Sequence, residues 1–271
     1  MLRSTQDLQD YKISATDGEI GPIKDFYFDD DAWAVRYFVV ETGSWLSSRK
    51  VLISPISVSH PDWASRTLPV SITKDQVKNS PSFDRDKPVS RPNEEQYLGY
   101  YGYPYYWGGG GMWGEGLYPY AMVPGYGLDR AEREREMEAY LRDERARHRN
   151  DDPHLRSCDA VTGYHLHTTD GHIGHVSGFL VDDETWAVRY LIVDTSNWWM
   201  GHQVLIAPAW IKNVQWFDKT VTVDLSREAI KTAPVYDPAI DWRRDQDLDL
   251  YRHYGRSGYW AGSSVRENEP A

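Results

Sequence analysis

Four histidines in the second half of the chain are the residues whose type and spacing could most directly do chemistry. His165 and His167 are two positions apart, so in a strand both side chains lie on one face, and His172 and His175 follow closely. Imidazole nitrogens bind zinc, copper and nickel. One functional hypothesis is therefore a metal or small-ligand sensor that uses this histidine-rich face.

No other residue pattern in the sequence predicts catalytic chemistry. There is no ordered nucleophile, base and acid, and no phosphate-binding glycine loop. Cys158 is the only cysteine, which excludes an intramolecular disulfide and a cysteine-based metal site. The acidic runs at 29–31 and 182–184 lack the spaced ligands of a calcium loop, so we interpret them as polar hairpin turns. The sequence predicts a protein that is not an enzyme and has no cofactor.

Composition and charge exclude further classes. The chain has 271 residues, a mean hydropathy of −0.66 and a net charge of −11, which repels phosphate backbones and argues against nucleic-acid binding. No run approaches the roughly 18 apolar residues of a membrane-spanning helix. The first residues lack a secretory signal, so we expect a cytoplasmic protein. The 12 tryptophans and 19 tyrosines, against 6 phenylalanines, are amphipathic aromatics that suit interfaces.

The elements that must position these residues occur twice. The segment 17–21 (Asp-Gly-Glu-Ile-Gly) recurs at 170–174 (Asp-Gly-His-Ile-Gly), 153 positions later. The same displacement holds without a gap for other segments, which pair 33–37 with 186–190, 51–55 with 204–208, and Trp63 with Trp216. We call residues 3–109 the first copy and residues 156–262 the second copy, with a linker at 110–155.

Each copy reads as short strands separated by turns, which is typical of a small barrel. A strand at 33–41 carries apolar side chains on both faces, and Thr73 or Ser226 begins a short helix that Pro81 or Pro234 ends. An aromatic tail follows each helix. Between the barrels, a Gly/Tyr-rich loop at 108–127 precedes a charged helix at 128–150. The sequence predicts a mainly β protein with two tandem six-stranded barrels.

The Asp-Gly-x-Ile-Gly motif, the tryptophan hairpin, the long Val-x-Tyr-x-Val-Val strand and the Val-Leu-Ile-x-Pro strand resemble the PRC-barrel family in each copy. That family includes the cytoplasmic domain of the photosynthetic reaction centre H subunit and the C-terminal domain of the bacterial ribosome maturation factor. The resemblance covers about residues 11–75 and 164–228. It implies a bacterial docking or assembly module without a shared catalytic centre, similar to free-standing tandem PRC-barrel proteins.

Some residues recur for structural reasons. Gly18 and Gly171 supply the positive φ of a turn, and Gly21 and Gly174 complete the repeated motif. Arg36 and Arg189 stand at the same place in an otherwise apolar strand. Each arginine is either a paired structural cation or part of an anion site.

The aromatic residues are the candidates for partner binding. Trp45, Trp198 and Trp199 precede the fourth strand, where they either cover the barrel end or form a binding hot spot. The tails end in aromatic pairs: Tyr106 with Trp107, and Tyr259 with Trp260. We expect the two tryptophans of these pairs to be largely buried, with each tail crossing to the neighbouring copy.

The leading functional prediction is a non-enzymatic docking protein whose two modules bind a protein partner, free or at a membrane surface. The first copy has Lys12, Ser14, Glu19 and Pro22 in place of the four histidines. The module itself therefore does not require a metal, and we expect no stoichiometric zinc, nickel or copper after purification.

Overall fold

The computed structural model of the chain describes residues 1–82, 89–107, 109–122, 154–195 and 202–260. These residues divide into two compact units. The first-copy unit contains the described residues within 5–160 together with 182–188, and the second-copy unit contains residues 1–4, 161–181 and 189–260.

The chain up to residue 122 contributes short strands, short helices and three single turns of 3₁₀ helix. The strands and helices are β1 (Leu2–Ser4), α1 (Thr5–Leu8), β2 (Lys12–Ala15), β3 (Gly18–Asp29), β4 (Ala34–Glu41), β5 (Lys50–Ile53), β6 (Thr67–Pro69), α2 (Lys74–Lys78) and α3 (Arg91–Tyr101). The 3₁₀ turns are Gly43–Leu46, Pro55–Ser57 and Pro119–Met122.

The chain from residue 154 onward repeats this series. Its strands and helices are β7 (Leu155–Ser157), α4 (Cys158–Val161), β8 (His165–Thr168), β9 (Gly171–Asp182), β10 (Val188–Asp194), β11 (Gln203–Ile206), β12 (Ile211–Gln215), β13 (Thr220–Val223), α5 (Arg227–Lys231) and α6 (Arg244–His253). A 3₁₀ turn occupies Pro208–Trp210. The predicted charged helix at 128–150 lies outside the described residues.

The first-copy sheet runs in the order β5-β4-β3-β2-β6, with β7 also paired to β3. The β2–β6 pair is parallel and the others are antiparallel, so the sheet is mixed. β3 is 12 residues long, but β2 pairs only with its residues 18–22. β7 covers residues 27–29 of the same strand, which would otherwise be an unpaired edge.

The second-copy sheet runs in the order β11-β10-β9-β8-β13-β12, with β1 paired to β9. Its first five strands follow the same order as the first-copy sheet, β12 is an additional strand beyond β13, and β8–β13 is again parallel. Each unit thus includes the first strand of the other sequence copy. Both hydrogen-bonded paths end in two edge strands, so the chain is mainly β with two mixed sheets, and closed barrels remain a prediction.

The first-copy unit also includes the hairpin at 182–188. The Val35 amide donates to the Trp186 carbonyl at 2.8 Å, and the Val188 amide donates to the Trp33 carbonyl at 2.7 Å. The buried Trp186 ring packs edge-on against Phe38 with ring centroids 4.6 Å apart. These contacts place a tryptophan from the second copy in the core beside β4.

None of the helices in the described part of the chain is long and apolar enough to cross a membrane. α2 begins at the predicted Thr73, which forms a capping box. Thr73 Oγ1 accepts from the Gln76 amide, and Gln76 Oε1 accepts from the Thr73 amide.

The second glycine of the repeated motif marks a close approach of backbones. Gly21 follows a bulge in β3 and has φ +152°, and a Cβ built on it would lie 1.8 Å from the Glu41 carbonyl oxygen. At Gly174, φ is +68° and the same atom would lie 2.0 Å from the Asp194 carbonyl oxygen. Only glycine lets the bulge cross the end of the neighbouring strand.

Gly21→Ala should therefore destabilise the protein by about 3 kcal/mol or more, because the obstacle is backbone. The matched control is Gly99→Ala in α3, where a Cβ meets nothing within 4 Å. That change should stabilise by about 0.5–1 kcal/mol through helix propensity. Urea unfolding of both variants checks the prediction, and equal effects would contradict it.

A buried carboxylate fastens β7 and α4, which come from the second copy, to the first-copy sheet. Asp25 Oδ2 accepts from the Ser157 hydroxyl at 2.6 Å, and Oδ1 accepts from the Phe26 and Asp159 amides at 2.7 and 3.1 Å. Burial raises the pKa of Asp25, and these hydrogen bonds offset the increase only in part. The group therefore binds its proton more tightly in the folded chain than in the unfolded chain.

The stabilisation that Asp25 contributes is greatest below the ordinary aspartate pKa of about 3.9 and is lost as the pH rises through the raised value. We expect Asp25→Asn to flatten this decline in the free energy of unfolding between about pH 4 and pH 7. Asp10→Asn is the control, because Asp10 is exposed and pairs only with the surface Lys24. Urea unfolding at several pH values measures both, and parallel curves for Asp25→Asn and the parent would contradict the prediction.

Candidate functional site

A buried carboxylate joins the first-copy tail helix to its sheet. Glu94, in the first turn of α3, is fully buried and accepts from the Tyr37 hydroxyl at 3.2 Å and from the Tyr106 hydroxyl. His154 Nε2 lies 2.9 Å from Glu94 Oε2, and Arg91 Nη1 lies 3.5 Å from it. The central strand, the tail helix and the end of the tail thus meet at one side chain.

The second-copy tail has the same anchor. Asp247 in α6 is buried and accepts from the Tyr190 hydroxyl at 2.7 Å, the Trp242 Nε1 at 2.7 Å and the Tyr259 hydroxyl at 2.9 Å. Tyr190 and Tyr259 stand 153 positions after Tyr37 and Tyr106. Burial and the Asp247 charge raise the pKa of Tyr259 to about 12, so this hydroxyl keeps its proton and donates at neutral pH.

The arginine of each central strand lies against the tail tyrosine. The Arg36 side chain is only 2% exposed, and its guanidinium lies 3.9 Å from the Tyr106 ring centroid and 3.2 Å from Asp29 Oδ2. Its Nη1 donates to the Met112 carbonyl at 2.7 Å. Burial opposes ionisation of Asp29, but the Arg36 charge and backbone hydrogen bonds hold the pKa of Asp29 below its usual value. Arg36 is therefore part of a buried ion pair.

A glycine-flanked tryptophan covers Arg36. The Trp113 ring is buried 4.6 Å from the guanidinium carbon of Arg36, and its Nε1 donates to the Thr185 carbonyl at 2.8 Å. In the second-copy unit, Arg189 is half-buried and lies 4.4 Å from the Tyr259 ring centroid. The two equivalent cations thus differ in exposure.

The aromatic pairs at the ends of the tails pack within their own units. Arg91 lies over Trp107 at 4.3 Å, and Arg244 lies over Trp260 at 3.7 Å. Tyr106 is buried, Trp107 and Trp260 are half-buried, and Tyr259 is 38% exposed. Each tail therefore uses its aromatic pair to hold the carboxylate and arginine anchor.

The expectation that the tails cross to the neighbouring copy is wrong for the described residues. The Tyr97 hydroxyl of α3 donates to the Leu52 carbonyl of β5 at 3.0 Å and accepts from the Ser54 amide, so the tail lies on its own sheet. Trp107 and Trp260 are both half-buried, so the expectation that they are largely buried is met in part. The exchanged elements are instead the first strands, which can cover the free edges of β3 and β9.

The three candidate tryptophans, at 45, 198 and 199, lie before β5 and β11. Trp45 is half-buried, donates from Nε1 to the Ile20 carbonyl at 2.7 Å and has Lys74 Nζ 4.4 Å from its ring centroid. Its hydrogen bond to the backbone of the repeated motif makes it part of the fold. Trp198 and Trp199 lie outside the described residues.

Within the described residues, the acidic hairpin at 29–31 is the one place where three side chains that can bind a metal lie close together. Two of its members are already engaged, Asp29 by Arg36 and Asp30 by Arg156 at 2.8 Å. Asp29 also accepts from the backbone amides of Asp31 and Ala32. These contacts favour a structural hairpin over a cation site.

Residues 4–77 match the sequence profile of the PRC-barrel domain. The chain contains a PRC-barrel domain at these residues. A protein from Deinococcus radiodurans described as an uncharacterized protein is 34% identical over 89 residues. The similar region covers 29% of this chain and 32% of that protein, so the chain spans about a third of the length of this relative.

Sequence reasoning missed the two anchoring carboxylates, which lie in the helices that begin the aromatic tails. Glu94 and Asp247 lie in polar, charged helices, where a buried acid has no local signature. The displacement of 153 carried a signal, because it pairs Glu94 with Asp247 and Arg91 with Arg244. The acid, the arginine and two tyrosines all recur after the same displacement, and this shared recurrence could have identified the acid from the sequence.

The second-copy unit exposes large apolar side chains that sequence reasoning also missed. Phe217 is 98% exposed at the tip of the β12–β13 hairpin. Four further side chains in the same unit are exposed, namely Val235, Ile240, Leu248 and Tyr259. The equivalent first-copy positions, apart from Tyr106, hold small or charged residues: Ala64, Ser82, Lys87 and Glu95. Apart from Tyr259, these exposed apolar residues are thus specific to the second copy.

Asp247→Ala should lower the free energy of unfolding by about 3 kcal/mol, because it leaves two buried tyrosine or tryptophan donors without an acceptor. Asp249→Ala is the matched control in the same helix, since Asp249 makes only a surface pair with Arg252. That change should cost less than about 0.5 kcal/mol. Urea unfolding followed by tryptophan fluorescence compares the two, and similar losses would contradict the anchor.

Proposed function

We propose that the protein is a non-enzymatic docking protein with two PRC-barrel modules, and that the second module binds a protein partner. Support for a second module comes from the gap-free displacement of 153 and the shared strand order of the two sheets. The Gly21 and Gly174 close approaches and the Glu94 and Asp247 anchors recur as well. An ancestral module that was duplicated would leave this pattern.

The observation that carries the proposal is the exposure of Phe217. A phenylalanine at a hairpin tip leaves its apolar surface exposed to water unless a partner covers it. Burial of that surface contributes roughly 25 cal/mol per Å² to the free energy of binding. The neighbouring Trp216 fixes the tip, because its carbonyl accepts from the buried Tyr164 hydroxyl at 3.2 Å and its ring lies 6.2 Å from that of Tyr164. An exposed aromatic ring beside an anchored residue is typical of an interface.

Charge favours a protein partner over an anionic membrane. The tip itself is balanced, with the exposed Asp218 and Lys219 beside Phe217. The whole chain carries −11, which opposes approach to a negatively charged bilayer. We therefore infer a protein surface with an apolar groove that accepts the phenylalanine ring.

A photo-crosslinking amino acid at position 217 tests the proposal. We expect p-benzoylphenylalanine at 217, in the source cells, to give one adduct of defined mass. The same amino acid at the equivalent first-copy position, in place of Ala64, should not give that adduct. Phe217→Ser should reduce capture of the identified partner about tenfold or more, since an interface aromatic contributes about 2 kcal/mol or more.

The variant should keep its thermal midpoint, because an exposed ring contributes little to the folded state. Equal adducts at 217 and 64, or partner binding unchanged by Phe217→Ser, would refute docking through this hairpin. Flotation with phosphatidylglycerol vesicles that depends on Phe217 would replace the protein partner with a membrane surface.

A further inference from the structure

The four histidines of the second copy form two cross-strand pairs. In the antiparallel β8–β9 ladder, His165 is opposite His175 and His167 is opposite His172. Residues directly opposite in a ladder share a face of the sheet, and so do residues two apart on one strand. The bulge in β9 brings His172 and His175, which are three positions apart, onto that common face.

This face is the outer one. Leu166 between the β8 histidines is buried, and it is paired in register with the buried Val221 of β13, so the opposite face belongs to the core. His165 and His172 are exposed, and His167 and His175 are half-buried. Aqueous ions can therefore reach the imidazoles.

The inner pair is already in contact. The rings of His167 and His172 have centroids 3.6 Å apart and planes inclined at 67°. A neutral imidazole has a free nitrogen lone pair, which is the form that binds a metal.

We propose that His167 and His172, supported by the adjacent pair His165 and His175, bind an exchangeable divalent transition-metal ion of the class that prefers imidazole, such as Ni²⁺, Cu²⁺ or Zn²⁺. Two touching imidazoles supply two ligands, and water completes the coordination sphere. Such a site equilibrates with free metal, which differs from the resident metal that the sequence argues against. The inference does not depend on the docking proposal.

The first copy provides an internal comparison. Its equivalent ladder pairs Lys12 with Pro22 and Ser14 with Glu19, and Lys12 Nζ makes a surface ion pair with Glu19 Oε2 at 3.0 Å. The fold of this hairpin therefore forms without histidines. Four substitutions on one outer face of the second copy alone favour a ligand for that face over a requirement of the fold.

Isothermal titration with NiCl₂ at pH 7.5 tests the site on the full chain. We expect one equivalent to bind to the parent, and His167→Gln with His172→Gln to lower the affinity about tenfold or more. Loss of an outer-shell partner alone costs about 10- to 100-fold, so loss of two ligands should cost no less. His60→Gln is the control, because His60 is exposed and lies outside the four-histidine face. It should leave the affinity unchanged.

A gain of binding in the first copy guards against misfolding of the loss variant. Ser14→His with Glu19→His places two imidazoles at the register of His167 and His172, and we expect a second equivalent of Ni²⁺. No binding by the parent, or binding that survives His167→Gln with His172→Gln, would overturn the proposal. Failure of the first-copy variant to gain an equivalent would overturn the claim that the cross-strand pair is sufficient.

Discussion

The buried carboxylate at the start of each tail helix is the constraint on which the tails depend. An ionised group removed from water is costly unless hydrogen bonds replace its hydration. Glu94 and Asp247 obtain those bonds from one tyrosine of the central strand and one tyrosine near the end of the tail. The helix and the tail can therefore occupy only the position that brings both hydroxyls to one side chain.

The two copies share this scaffold but differ in what they expose. In the first-copy unit, Trp113 and the Met112 carbonyl from the linker cover the central arginine, and the hairpin tip holds Ala64. In the second copy the equivalent arginine is half-buried, and the tip holds Phe217. The elements that form the sheets and the anchors recur in both copies, while several solvent-facing positions differ. Both proposals of function rest on these differing positions.

Much of the fold could be predicted because its signals are local or repeated. The strand alternation, the Thr73 capping box and the displacement of 153 each follow from residues close in sequence or at one fixed spacing. The aromatic tails were recognised as packing elements, but their destination was wrong. Tyrosine and tryptophan bury equally well on either copy, and only the hydrogen-bonding partner distinguishes the two. That partner, Glu94 or Asp247, has no local signature in a charged helix.

The sequence by itself determined the mainly β character, the PRC-barrel resemblance and the positive-φ turn glycines Gly18 and Gly171, because turn chemistry and side-chain period act over a few residues. Tertiary structure alone decided that β7 pairs with β3 and β1 with β9, since three-residue strands carry too little pattern to specify a partner. It also decided that Arg36 is buried while Phe217 is exposed. Burial depends on which distant segments arrive at a position, and those segments are chosen by the free energy of the whole fold.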